Sequence, residues 1–447
     1  MPFICRTTKA KQGNSRMNAS INTTGHTPIG IKSGSQKRPP IIASLDIGTT
    51  KVCFVIGAVT PEGKIDIVGI GHSPNTGIRH GAVVNIEATT DAIRKAREEA
   101  ELMSGYHVNE VWVGVSGAHI TSFDSKGMVA IKNKEVTSSE IERVIEAAKA
   151  VAVPGDRTVL HVLPREYKVD GQDGIVDPIG MSGVRLEANV HIVTGSHSVI
   201  ANTVKCVEKA GLKAAGLVLE QLAAAEAILS EDERNLGVCL VDMGGGSCKF
   251  IYIINGSVAS SAVIPVGGSH FTHDIAVGLR TPQIAAEDLK RRYGSAMASL
   301  VAETETIEVE GVGGRKARSI PRRDLADIIE ARAEEILNFI GHQIRTSGLM
   351  PTLGGGVVLT GGTSHLEGLV EMGEFVFDIP VRRGVPAQVG GLSDVVRTGE
   401  AAVAVGLLQY GFRMRKDQIL AQHHENALSD SFDGMAQKIK EFFGQVF

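Results

Sequence analysis

The sequence predicts an α/β protein built from two related lobes, and three observations carry this. The chain has 447 residues, more than one hydrophobic core ordinarily encloses. One pattern occurs twice: an apolar strand ending on an aspartate, a glycine turn, then a second strand. Its copies are Ile41–Leu45 leading into Asp46-Ile47-Gly48-Thr49-Thr50-Lys51, and Gly237–Val241 leading into Asp242-Met243-Gly244-Gly245-Gly246-Ser247. Glycine is abundant at 52 residues while aromatics are only 4%, as suits sheets joined by turns that approach a ligand closely.

Residues 1–40 stand apart. They carry Arg6, Lys9, Lys11, Arg16, Lys32, Lys37 and Arg38 and no Asp or Glu, so we expect a disordered basic tail ending at Pro39-Pro40. Such a start also resembles an organelle transit peptide, and Met17 is an alternative internal start. Order is expected from Ile41, with further strands at Lys51–Val59 and Ile65–Gly71. Ala92, Ile93, Ala96, Ala100 and Met103 fall on one helical stripe, predicting a helix over Ala88–Met103. Val111–Val115 is a strand, and Thr137-Ser138-Ser139-Glu140 has the spacing of a capping box that opens a helix through Ala148. The second aspartate turn is followed by the strand Phe250–Ile254. After a polar, glycine-rich stretch between Leu300 and Arg323, a helix is expected from Asp324 to Ile344. Strand, glycine turn and helix return over Val357–Val370.

Composition narrows the function. A hydrophobic content of 43% with 21% charged residues reads as soluble and globular. The net charge of −4 offers no pull toward nucleic acid. No run approaches the ~18 apolar residues of a bilayer-spanning helix. Cys5, Cys53, Cys206, Cys239 and Cys248 keep no metal-ligand spacing and read as reduced thiols in a reducing cytoplasm.

The chemistry rests on the turns. In each, a carboxylate closes a strand, and small residues follow whose amides can close on phosphate oxygens. Thr49, Thr50 and Ser247 add hydroxyl donors. Asp46 and Asp242, facing one another, would hold Mg²⁺ largely through water against a nucleotide's phosphates. A third loop, Leu359-Thr360-Gly361-Gly362-Thr363-Ser364, again ends a strand and is expected to open a helix whose N-terminus suits a ribose or phosphate. No G-x-x-x-x-G-K-[ST] occurs, and no G-x-G-x-x-G opens an early helix, which excludes a P-loop and a dinucleotide fold.

In this order the motifs resemble the actin, sugar-kinase and heat-shock-chaperone superfamily. The resemblance implies an actin-like two-lobed fold of duplicated ribonuclease-H-like domains that binds ATP and Mg²⁺. It implies phosphate contacts from Asp46, Gly48, Thr49, Thr50, Lys51, Gly244, Gly245, Gly246 and Ser247, with Gly267 and Gly268 beside them and Gly361, Gly362 and Thr363 at the adenosine. Asp242 would be catalytic. Glu220 and Gln221, in Leu219-Glu220-Gln221-Leu222-Ala223, match the segment that positions the attacking water, although Glu is also common at a helix start for dipole reasons. Glu287 and Lys290 are either adenosine contacts or an exposed helical ion pair. One departure stands out. Where the superfamily continues Thr-X-Asp, this chain has Ser247-Cys248-Lys249, which either brings an ammonium to the γ-phosphate or points outward.

Within the superfamily, the segments Gly77–Asn85, Gly171–Ile175, Pro178–Met181, Arg185–Ala188 and Ile264–Gly268 with Leu279–Pro282 resemble the FtsA cell-division family over about residues 41–412. That resemblance implies a first lobe of 41–84, 168–215 and 386–412, and an inserted subdomain at 85–167 for self-association and late division partners. A second lobe would comprise 216–265 and 345–385, with a small subdomain at 266–344 binding the tubulin-like protein FtsZ. A linker follows at 413–433. The last segment, 434–447, is amphipathic on its own terms. Met435, Ile439, Phe442, Phe443, Val446 and Phe447 form one apolar helical face, with Lys438 and Lys440 beside it. It predicts a helix lying in the headgroup plane of the inner membrane. One tail anchors reversibly, and a filament of many gains avidity.

The expected function is therefore an ATP-binding scaffold, with slow ATPase activity at most, that polymerises at the division septum on the cytoplasmic face of the membrane. It would tether FtsZ there and recruit later division proteins. The alternatives are a pilus-assembly-type adaptor ATPase or a small-molecule kinase of the same superfamily.

Overall fold

The strand Ile41–Ile47 buries residues on both of its faces, the pattern of a strand covered on two sides. Helices supply that cover. In this computed structural model, which describes residues 39–419, Ile41–Ile47, Lys51–Val59 and Ile65–Pro74 form an antiparallel meander. Glu110–Val115 and then Lys213–Leu219 extend it in parallel on the other side. The second large sheet repeats this plan. Val238–Met243, Cys248–Ile254 and Ser257–Ile264 make the meander, and Val357–Thr360 and Val381–Arg383 add the parallel strands. The expected duplication is thus present over five strands of each sheet, and Gly390–Gly391 adds a sixth to the first.

The helix Ile86–Ser104 packs Ala92, Ile93, Ala96 and Ala100 on the first sheet, together with Cys206 and Val207 of the helix His197–Lys209. A connecting helix, Glu220–Ile228, lies between the sheets and shares one core with both. Its Ala223, Ala224, Ala225 and Ala227 are buried, and alanines let backbones come close. The chain is helical again over 402–419, and a Cβ on Gly406 there would lie 1.8 Å from the Ala223 carbonyl oxygen, so only glycine permits this crossing. Behind the second sheet, the helices Gly268–Leu279, Arg322–Thr346 and Leu369–Phe377 close a separate core.

The inserted subdomain differs from the expected 85–167. Thr121–Ala130, Arg185–Ser196, Arg157–Val169 and Gln172–Ile175 form a four-stranded antiparallel sheet backed by the helix Ser138–Lys149. It has its own core of Val136, Val144, Tyr167, Leu186, Val190 and Ile192. Helix Ile86–Ser104 and strand Glu110–Val115 belong instead to the first lobe, because one covers its sheet and the other pairs with its first strand. Arg185–Ser196, placed by sequence in the first lobe, is central to the insert. The polar, glycine-rich stretch between Leu300 and Arg323 contains a small hairpin, Thr306–Val309 with Arg318–Pro321. Residues 413–419, expected to begin a linker, instead continue the helix over 402–419. Residues 1–38 of the expected basic tail, 420–433 of the linker and the 434–447 segment expected to be an amphipathic helix lie outside the described residues.

Candidate nucleotide site

Both aspartate turns fold alike. Gly48 N–H donates to the Lys51 carbonyl at 2.9 Å, and Gly244 N–H donates to the Ser247 carbonyl at 3.0 Å. These bonds close each turn and leave the Thr49, Thr50, Gly245 and Gly246 amides outside it. Asn75, unremarked in the sequence, braces the first turn: its side-chain amide donates to the Gly48 carbonyl at 2.9 Å and its N–H to the Thr50 carbonyl at 3.0 Å. The second turn is braced by the helix behind it, where Gly268 N–H and Ser269 N–H donate to the Gly244 and Gly245 carbonyls at 2.9 and 2.7 Å.

The turns face one another across the mouth between the lobes. A Cβ on Gly245 would come within 2.6 Å of the Thr50 methyl, and one on Gly246 within 2.9 Å of the Thr49 hydroxyl. The third loop joins them. Thr363 Oγ1 donates to the Gly244 carbonyl at 3.3 Å. Gly361 adopts φ +85° and would set a Cβ 2.4 Å from Asp242 Oδ1, so no other residue fits there. This loop continues as a short 3₁₀ turn, Gly362–His365, and the α-helix begins only at Leu369. The expected helix N-terminus at the loop is therefore absent, because Gly368 takes a left-handed conformation between the two.

Four ionisable groups meet below the turns. Lys249 Nζ lies 2.8 Å from Asp242 Oδ2 and 2.8 Å from Glu220 Oε2, and all three residues are buried. Lys249 therefore points inward. Burial works against its charge, but Asp242 and Glu220 outweigh it and hold the ammonium well above the usual lysine value. Burial, reinforced by Glu220, pushes the Asp46 carboxyl up to about 7 against the pull of Lys249. The carboxylates expected to hold Mg²⁺ do not fit that ion. Asp242 is already committed to the Lys249 ammonium at 2.8 Å, which takes the carboxylate oxygen that a hydrated ion would need. Gln221 is fully enclosed beside Glu220, and neither amide atom has a hydrogen-bond partner.

The remaining candidates divide. Lys290 Nζ bonds Glu287 Oε2 at 2.7 Å, but also the Gly268 carbonyl at 3.0 Å and Thr272 Oγ1 at 2.9 Å. The pair thus clamps the helix behind the second turn instead of standing free in solvent. Lys51 Nζ is held by Glu400 Oε2 at 2.6 Å, and a Cβ on Gly362 would sit 3.4 Å from that same carboxylate. Glu400 therefore ties the first turn to the third. Sequence reasoning missed it because a solitary Glu after Thr398-Gly399 carries no motif.

Two family models match the chain: the SHS2 domain inserted in FtsA over residues 117–194, and cell division protein FtsA over residues 239–406. Cell division protein FtsA of Pseudomonas aeruginosa is 47% identical over 377 residues, covering 84% of this chain and 90% of that protein. The chain belongs to the FtsA family of cell-division proteins. FtsA of Neisseria meningitidis is 46% identical over 409 residues (91% of this chain, 98% of that one), and FtsA of Escherichia coli K12 is 40% identical over 388 (85% and 92%). Among solved structures, the PilM-PilN type IV pilus biogenesis complex matches with a TM-score of 0.59 at 16% identity, over 83% of this chain and 98% of that one, a likeness of fold alone. The two-lobed actin-like fold stands, and the FtsA insert coincides with the four-stranded sheet built from 121–196.

Proposed function

We propose that this protein is an ATP-binding scaffold that attaches FtsZ to the inner membrane. The observation that carries the reading is the meeting of three glycine loops at one interlobe mouth in an FtsA-family chain. The triphosphate lies between the amides and hydroxyls of Gly48–Thr50 and Gly244–Ser247, and the adenosine lies toward Gly361–Thr363, with Glu287 and Lys290 holding the helix beneath. A ligand touching both lobes favours the closed arrangement. Nucleotide therefore acts chiefly as a conformational ligand.

FtsZ engages the small subdomain at 266–344, where Val277 and Ile284 stand exposed. The insert serves contacts between copies and with later division proteins, and the amphipathic segment 434–447 binds lipid. No helix among the described residues is long and apolar enough to cross a membrane. Liposome co-sedimentation with FtsZ tests this, comparing the full chain with one truncated after Asp433. Lipid-dependent pelleting of FtsZ by the full chain alone is the expected result. Equal pelleting by both, or by neither, would remove the tether from the reading.

A further inference from the structure

We infer that Lys249 is a built-in cation that frees nucleotide binding in this cleft from dependence on a divalent metal. The inference rests on the nucleotide reading above and adds a property to it. Lys249 lies directly across from Asp242 in the antiparallel pair Val238–Met243 and Cys248–Ile254. That register fixes the ammonium against one carboxylate. The connecting helix brings the second, Glu220, to the same 2.8 Å distance. One charge thus joins the strand that ends in the second glycine turn to the helix between the lobes.

Its position relative to that turn is also specific. A Cβ on Gly244 would lie 3.4 Å from Lys249 Nζ, so the ammonium sits immediately beneath the loop whose amides would meet phosphate. Asp46, Glu220 and Asp242 would otherwise place three carboxylates under an anionic ligand. Attraction between such groups and a phosphate needs a positive charge between them, and Lys249 supplies it covalently. Mg²⁺ demands a near-octahedral shell of oxygens and gives up water reluctantly. To enter here it would have to displace an ammonium from two buried carboxylates, leaving a buried charge unpaired.

The test is ATP titration of the full-length protein by calorimetry, once with excess Mg²⁺ and once with EDTA, for the wild type and for Lys249→Met. The wild-type affinities should agree within about threefold, whereas the variant should bind on the order of thirtyfold more tightly with Mg²⁺ than without. A wild-type loss of about tenfold or more in EDTA overturns the inference while leaving the nucleotide reading intact. Absence of ATP binding under both conditions overturns the reading and the inference together. Circular dichroism establishes that the variant folds, and the wild-type comparison decides the matter without it.

Discussion

Glu220 and Asp242 each hold half of the environment that keeps Lys249 charged in the interior. Removing either partner leaves an ammonium buried with a single counter-charge, which costs more than the loss of an exposed pair. Glu220→Gln should therefore lower unfolding stability by about 2–4 kcal/mol in urea denaturation. No change would show that solvent reaches the site more freely than its burial indicates. His161 offers a second residue-level test. Its Nε2 accepts the Leu219 N–H at 2.9 Å, just ahead of the connecting helix, and burial lowers its pKa to about 4. A histidine whose folded pKa is depressed contributes stability above its unfolded value near 6.5 and loses it as pH falls toward 4. The loss should approach about 3 kcal/mol by pH 4. His161→Gln should flatten melting temperature between pH 7 and 5, and an unchanged slope would assign the acid sensitivity elsewhere. The residue types of this site were legible in the sequence, but its pairings were not. Lys249 was visible as a departure, yet its inward direction depends on a helix that begins 29 residues earlier in the chain. Glu400, 349 positions beyond Lys51, gave no local sign.

At the scale of elements, local patterns were read well where the physics is local. The stripe of Ala92, Ile93, Ala96 and Ala100 became the buried face of a helix, and Glu140 accepts from the Thr137 N–H as its capping spacing foretold. The insert was misplaced because its sheet joins strands far apart in sequence: Thr121–Ala130 pairs with Arg185–Ser196, and neither strand names its partner. The third loop was read correctly as a glycine turn but wrongly as a helix start, since the left-handed Gly368 delays the helix. Gly361 carries the element-level prediction. With φ at +85° and Asp242 Oδ1 2.4 Å from any added Cβ, Gly361→Ala must displace either the loop or the carboxylate. It should destabilise the protein by about 2 kcal/mol or more and abolish ATP binding. Retained binding in calorimetry would show that the third loop lies outside the ligand's reach.

Across the whole molecule, nucleotide, FtsZ and lipid are expected to act through separate regions of one chain. Ile284 is 87% exposed on the helix Gln283–Tyr293 of the small subdomain, far from the needs of folding. Ile284→Glu should weaken FtsZ capture roughly tenfold or more, as loss of an apolar interface contact does, while lipid pelleting and ATP affinity stay as in the wild type. If FtsZ capture survives, the docking surface lies elsewhere on the lobe.

The crossing of Gly406 and Ala223 bears on how the tail communicates with the cleft. Residues 420–447 follow, in the sequence, the helix that makes this crossing, and Arg413 of that helix pairs with Glu226 of the connecting helix at 3.0 Å. Backbones in direct contact leave no compliant side chains to absorb a load. Under the proposed lipid attachment of 434–447, a pull on that segment would enter the described residues at the helix over 402–419, against the helix that presents Glu220. Such tension would be felt in the cleft as strain, and the same stiff joint would pass a change in the cleft outward to residue 419.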